Sequence, residues 1–219
     1  MARLGYGLKR SAKVYIVGGG TAVLYGWRNS TVDIDLKIVP ETDEILRRLP
    51  KLKEELEINV ELASRDDFIP PLPGWQERSQ FIRREGSIDF FHYDFYAQAL
   101  AKIERGHTAD VADVDQMFKL KLIEPARLLQ LFSEIEADLY KYPAIDPKSF
   151  RDSVETILKR HRGQLFLSWI RKALNNLLSK HTSVSFDRDL IQRQQSTILH
   201  YNPTVDNHAL NIRTLSCIH

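Results

Sequence analysis

Two aspartates separated by a single residue, Asp33 and Asp35, are the side chains of this sequence whose type and spacing best suit chemistry. Side chains alternate between the two faces of a β-strand, so both carboxylates would lie on the same face. Two ionised carboxylates at that separation repel each other, and a divalent cation that prefers oxygen ligands is the usual way to hold them together. The pair therefore predicts a magnesium site.

A glycine-rich turn lies shortly before the aspartates. It follows a short apolar run, Val14 to Val17, and precedes apolar residues at helical spacing, so a strand, a tight turn and a helix are predicted. Gly18 and Gly19 allow the backbone to approach a ligand closely, and the start of the helix offers unpaired N–H groups to phosphate. We therefore expect a phosphate group and a metal ion to meet at this place.

Hydrophobic and polar residues alternate around the aspartates, which predicts a half-buried strand over residues 31–39 that ends at Pro40. A crossover helix over residues 42–57, broken or kinked at Pro50, and a third strand over residues 58–64 follow. Residues 65–80 are rich in proline and predict an ordered surface loop. Beyond that loop we predict one or two strands over residues 81–93. Four helices follow, over residues 94–104 with Asp94 as the N-cap, 110–123, 125–139 and 149–160.

The order of these motifs, Gly18-Gly19, a short helix and Asp33-Ile34-Asp35, resembles the signature of the polymerase-beta-like nucleotidyltransferase superfamily. Members of that superfamily usually add a third carboxylate from a neighbouring strand. Glu61 fits this place, because it follows the crossover helix and lies on the polar face of the predicted third strand. Asp89, in a later strand, is the alternative that the sequence leaves open.

This resemblance implies that Asp33, Asp35 and Glu61 are catalytic and bind Mg²⁺ or Mn²⁺, and that Gly18 and Gly19 contact a nucleoside triphosphate (NTP). The implied reaction moves a nucleoside monophosphate from the NTP to a hydroxyl group, either in RNA, with tRNA as one candidate, or in a protein. The alternative is a non-catalytic module that keeps the fold and binds a partner protein.

A second motif contains Lys102, Arg105, Asp110 and Asp113. It resembles a segment of bacterial nucleotidyltransferases from toxin–antitoxin and abortive-infection systems. The resemblance implies that Lys102 contacts the triphosphate, that Asp110 orients it or supports the loop, and that a cognate antitoxin is a partner. A solvated helix lysine and acids near a helix N-terminus are the structural alternatives for these residues.

The expected fold class is α+β, a small mixed β-sheet flanked by helices and followed by a helical C-terminal part. We expect a nucleotidyltransferase core over residues 1–106 and the helical part over residues 107–162. Residues 163–219 are predicted to be a poorly ordered or peripheral tail, because Ser, Thr, Asn, Gln and His dominate from Ser183 onwards.

The composition sets broad limits on the function. The 219 residues include 31 Lys and Arg against 29 Asp and Glu, and the net charge of +2 gives no general attraction to nucleic acid. The single cysteine, Cys217, cannot form an intramolecular disulfide, and no apolar run approaches the ~20 residues of a membrane span. A cytoplasmic protein that does not enter a membrane is therefore expected. The seven histidines show no zinc-ligand spacing.

Overall fold

The computed structural model of the protein describes residues 1–8, 10–62 and 68–161, and these belong to one compact unit. Its centre is a five-stranded sheet with the order β3-β2-β1-β5-β4. The strands are β1 (Ala12–Val17), β2 (Asp33–Val39), β3 (Asn59–Leu62), β4 (Gln80–Glu85) and β5 (Ile88–His92). The β1–β2 and β4–β5 pairs are antiparallel, whereas the β1–β5 and β2–β3 pairs are parallel. The predicted α+β fold with a mixed sheet is confirmed, and the predicted tail lies outside the described residues.

Helices cover both faces of this sheet. They are α1 (Ala2–Gly5), α2 (Gly19–Leu24), α3 (Asp43–Leu46), α4 (Arg48–Leu56), α5 (Trp75–Arg78), α6 (Phe95–Arg105), α7 (Thr108–Lys119), α8 (Pro125–Glu136) and α9 (residues 147–161). On one face, Val14 and Ile16 of β1 join a core with residues of α1, α3 and α4. On the other face, Tyr15 and Val17 join a larger core with residues of α6 to α9. In the described part of the chain no helix is long and apolar enough to cross a membrane.

One predicted helix cap is present in the structure, and two other features of the helices differ from the prediction. The Asp94 side chain accepts a hydrogen bond from the backbone N–H of Tyr96 (3.1 Å), as an N-cap does. The predicted break in the crossover helix lies at Arg47, between α3 and α4, whereas Pro50 is tolerated in the first turn of α4, where no backbone N–H is needed. The proline-rich loop also contains a short helix, α5, which was not predicted.

The end of α7 differs most from the prediction. The helix ends at Lys119 rather than near residue 123, because Lys121 adopts a left-handed conformation with φ 58°. The N–H of Leu122 then donates to the carbonyl of Met117 (2.9 Å), the bond that defines a Schellman cap. This position usually holds glycine, so the lysine gave no signal in the sequence.

His92 ends β5 beneath the glycine turn and is only 8% exposed. Its Nδ1 lies 3.4 Å from Oγ1 of Thr21, and its ring centroid lies 4.7 Å from that of Tyr25. Burial lowers the pKa of His92 from 6.5 to about 4. The imidazole is therefore neutral in the folded protein at physiological pH.

From this pKa we predict that the folded protein loses stability as the pH falls from about 6.5 to about 4. In that window the unfolded chain binds a proton at His92 and the folded chain does not, so protonation favours unfolding. The pKa of His92 differs by roughly 2.5 units between the unfolded and the folded chain, which corresponds to about 3 kcal/mol of unfolding free energy. Urea unfolding of the wild type and of His92→Gln across this range measures the effect, and the variant should lack this part of the pH dependence.

Exposed His107 provides the matched control, since His107→Gln removes a histidine whose side chain faces solvent. Its stability profile should follow that of the wild type. A His92→Gln variant with an unchanged pH dependence would contradict the assignment of a neutral, buried imidazole.

Candidate functional site

The candidate residues gather at the edge of the sheet where β1 ends and β2 and β3 begin. Val17 pairs with Asp35 across β1 and β2, and Asp35 pairs with Glu61 across β2 and β3. The three residues therefore lie side by side on adjacent strands, about 4.8 Å apart. Asp33 lies two residues before Asp35 in the same strand and thus on the same face.

The opposite face of β2 is apolar, as the alternation of its sequence predicts. Leu36 and Ile38 are 6% and 3% exposed and belong to the core with α1, α3 and α4. The aspartates consequently lie on the other face. Asp33 and Glu61 are exposed, and Asp35 is half-buried.

Asn59 connects two of the three acids. Its Nδ2 donates to Oδ1 of Asp33 (2.7 Å) and to Oε1 of Glu61 (2.9 Å). A donor between two carboxylates reduces their repulsion and orients both. Sequence reasoning did not single out Asn59, although its place two residues before Glu61, on the same strand face, was the available signal.

Asp89 lies at the opposite end of the sheet. It pairs in register with Lys13, four residues before Val17 in β1, and so is about 13 Å farther along the strand. Arg84 donates two hydrogen bonds to its carboxylate, at 2.5 and 2.7 Å. These bonds hold the pKa of Asp89 below its usual value. Its side chain therefore belongs to a surface ion pair on the β4–β5 hairpin.

The glycine turn is packed tightly on both sides. Gly18 has φ 61° and ψ −129°, a conformation that favours glycine. A Cβ on Gly19 would lie 2.1 Å from Oγ1 of Thr31, so the segment that leads to Asp33 packs directly against the turn. The N–H of Gly18 donates to Oε1 of the fully buried Gln98 of α6 (2.9 Å). Sequence reasoning did not identify Gln98 either, because no local sequence pattern predicts that a glutamine is buried.

Lys102 lies in a buried network of charges. Its Nζ is 2.9 Å from Oδ1 of Asp110 and 2.6 Å from Oδ2 of Asp113, and the residue is 2% exposed. Arg105 donates to Asp110 (2.8 Å), and Arg28 donates two hydrogen bonds to Asp113 (2.8 and 2.7 Å). Helices α6 and α7 are thus joined to the segment between α2 and β2.

The charges of this network stabilise the ionised form of Asp110. Burial raises the pKa of Asp110, but Lys102 and Arg105 outweigh burial and lower it overall. The indole N–H of Trp27 adds a further bond to Asp113 (3.1 Å). Lys102 therefore has a structural role as the counter-ion of two acids, and its contact with a triphosphate stays a prediction.

The oxygen donors of the aspartate site fit a magnesium ion in kind. Asp33, Asp35 and Glu61 all offer carboxylate oxygens, the ligands that Mg²⁺ prefers. In the described residues no three Asp, Glu, His or Cys side chains are grouped as they are around a metal ion. Asn59 engages Oδ1 of Asp33 and Oε1 of Glu61, so a metal ion bound with these side chains in place would contact their second oxygens.

Comparison with known families places this arrangement in a class. Residues 4–159 match the model of a family described as nucleotidyltransferase of unknown function (DUF6036). The match covers the glycine turn, the aspartates, Glu61 and the Lys102 network, and the chain belongs to this family. No curated protein and no solved structure matches the chain. The predicted membership of a nucleotidyltransferase family is confirmed, whereas catalytic activity and the toxin–antitoxin branch stay predictions.

We predict that Lys102→Ala destabilises the folded protein by about 2–3 kcal/mol, because two buried carboxylates lose their shared cation while Arg105 and Arg28 still pair with them. Urea unfolding at neutral pH measures the change. Lys159→Ala is the matched control, since the Lys159 side chain is 79% exposed and its pairing with Glu155 contributes at most about 1 kcal/mol.

If Lys102 served nucleotide binding alone, its replacement would leave the stability of the nucleotide-free protein unchanged. That result would overturn the structural role. A loss of stability larger than that of Lys159→Ala supports it.

Proposed function

We propose that this chain is an active, metal-dependent nucleotidyltransferase that moves a nucleoside monophosphate from an NTP to a hydroxyl acceptor on RNA or protein. The observation that carries the proposal is the register of β1, β2 and β3, which aligns Val17, the residue directly before the glycine turn, with Asp35 and Glu61. Membership of the nucleotidyltransferase family supports it independently.

In the proposed reaction, the acceptor oxygen forms a bond to the α-phosphorus, and the bond between that phosphorus and the bridging oxygen to the β-phosphate breaks. Pyrophosphate leaves with the electrons of that bond. Asp33, Asp35 and Glu61 form what we call the acid row, and Glu61, an exposed member of it, takes the proton of the acceptor hydroxyl. The triphosphate is proposed to lie beside the turn at Gly18 and Gly19, where the N–H of Gly18 already donates to Gln98.

Asp33, Asp35 and Glu61 would hold Mg²⁺ or Mn²⁺, which would neutralise charge on the triphosphate when bound. Asn59 orients Asp33 and Glu61 through its side-chain amide. Its amide keeps two acids of the row close together despite their charge.

A toxin role with a cognate antitoxin is part of the proposal and has narrower support. It comes from the similarity of the segment around Lys102 to toxin–antitoxin nucleotidyltransferases. The segment around Lys102 also supports the second candidate function, a non-catalytic binding module. Lys102 is paired with Asp110 and Asp113 inside the protein rather than directed towards a triphosphate. The two candidates differ in whether Asp33 and Asp35 are needed for function.

We predict that wild-type protein with Mg²⁺ transfers label from one of the four α-³²P-labelled NTPs to a component of total RNA or cell lysate. Asp33→Ala/Asp35→Ala should reduce the transfer by at least about 10²-fold, because two of the three proposed metal ligands are lost. Growth inhibition after induced expression, lost in the same variant, would test the toxin role. Equal labelling by wild type and variant would reject the catalytic proposal and favour the binding module.

The third acid is tested separately. We predict that Glu61→Gln lowers the transfer rate by about 10²–10⁴-fold, as the loss of a general base does, and weakens Mn²⁺ binding measured by calorimetry. Asp89→Asn is the matched control, because Asp89 lies at the other end of the sheet in an ion pair with Arg84. The assignment of Glu61 fails if Asp89→Asn, rather than Glu61→Gln, abolishes transfer and Mn²⁺ binding.

A further inference from the structure

A row of aromatic rings and lysines crosses the sheet directly beside the acid row. Lys37, Tyr15, Phe91 and Phe81 are paired in register across β2, β1, β5 and β4. Lys37 follows Asp35 by two residues in β2, so both rows lie on one face, about 7 Å apart. The row spans three strand spacings, about 14 Å.

Cations lie over the rings of this row. The Nζ of Lys37 lies 4.7 Å from the ring centroid of Trp75, which packs on Tyr15 with a centroid separation of 4.9 Å. The Nζ of Lys13, an exposed residue, lies 5.8 Å from the ring centroid of Phe91. The members of this row that reach the surface, which we call the aromatic row, are Lys37, Trp75, Phe91, Lys13 and Phe81. Tyr15 is only 1% exposed and packs in the core against Trp75.

The far end of the aromatic row is open to solvent. Phe81 is 59% exposed and contacts Phe91 edge to face, with a centroid separation of 5.5 Å. Phe91 and Trp75 are half-buried. A phenylalanine in this position contributes little to the core, and it offers a ring face or edge to a ligand.

We propose that the aromatic row binds the end of a single-stranded polynucleotide and that this polynucleotide is the acceptor. Single strands expose base faces that stack on aromatic side chains, and lysines beside the rings pair with the phosphates. A duplex hides its base faces, so it fits this surface less well. The inference rests on the proposed function and names its acceptor class.

The neighbouring acids set the direction of the strand. Asp33, Asp35 and Glu61 repel phosphates, whereas Lys13 and Lys37 attract them. The backbone of the polynucleotide is therefore expected over the lysines, with only its terminal hydroxyl at the acids. Removing Asp33 and Asp35 should leave polynucleotide binding unchanged or tighter, although it abolishes transfer.

The test measures binding of fluorescent oligonucleotides of roughly ten nucleotides, a length within the usual range of such sites, by anisotropy at several salt concentrations. The probes are single-stranded RNA, DNA of the same sequence, and the RNA duplex. We expect single strands to bind more tightly than the duplex, and the RNA and DNA arms show which sugar is preferred. The logarithm of the affinity should fall linearly with the logarithm of the salt concentration, by about 0.7 for each phosphate contact.

Two variants test the surface itself. Phe81→Ala should weaken single-strand binding about tenfold through lost stacking. Lys13→Gln should reduce the salt slope by about 0.7, since one phosphate contact is lost. Tyr140→Ala and Lys159→Gln are the matched controls, because both side chains are more than three-quarters exposed and lie outside the sheet. Circular dichroism and urea unfolding establish that each variant is folded.

Failure of this inference and failure of the proposed function give different results. If the wild type binds no single strand, or if Phe81→Ala and Lys13→Gln bind as it does, the aromatic row is not the acceptor surface. The inference also fails if label enters protein and never a polynucleotide. If Asp33→Ala/Asp35→Ala still abolishes that labelling, the proposed function itself is retained. Single-strand binding that Phe81→Ala and Lys13→Gln weaken, and that Asp33→Ala/Asp35→Ala retains, supports the inference.

Discussion

The pairing register of β1, β2 and β3 is the constraint on which the candidate site depends. A slip of one residue in β2 would move Asp33 and Asp35 to the opposite face of the sheet and expose Leu36 and Ile38. Burial of those two side chains therefore fixes the position of the carboxylates. The same apolar contacts that build the core thus determine where the charged residues lie.

The helical part of the chain contributes to this arrangement from the other side. Gln98 of α6 binds the glycine turn, and Asp113 of α7 binds Arg28 in the segment that leads into β2. Both ends of the connection between β1 and β2 are therefore attached to helices that lie much later in the sequence. This explains why a lysine and two acids are buried here, at a desolvation cost that their mutual hydrogen bonds offset.

One face of the sheet is divided into two adjacent rows of different chemistry. In the proposed function the acid row would hold a cation, and the aromatic row would bind the bases and phosphates of an acceptor. Because side chains on a strand repeat every two residues, Asp35 and Lys37 bring the two rows together on β2. The division separates groups that repel phosphate from groups that attract it.

Local features of the sequence determined much of the fold. Alternation in residues 31–39 identified β2 and its polar face, the glycines identified the turn, and Asp94 identified the start of α6. These signals are local because a strand repeats every two residues and a cap involves only its neighbours. The sequence failed where a local rule had an exception, as at Lys121, which ends α7 in a conformation that glycine usually adopts.

Tertiary structure alone decided the relations between distant residues. Glu61 and Asp89 both lie in short strands, and only the strand order shows that β3, with Glu61, lies beside Asp35, whereas Asp89 lies at the far end of the sheet. Likewise, the helical pattern around Lys102 does not reveal whether its ammonium faces solvent, a ligand or other side chains. Its burial depends on two acids from the next helix and on Arg28, which lies 85 residues before Asp113. Local periodicity determines which face of an element a residue occupies, and only the packing of elements determines what that face meets.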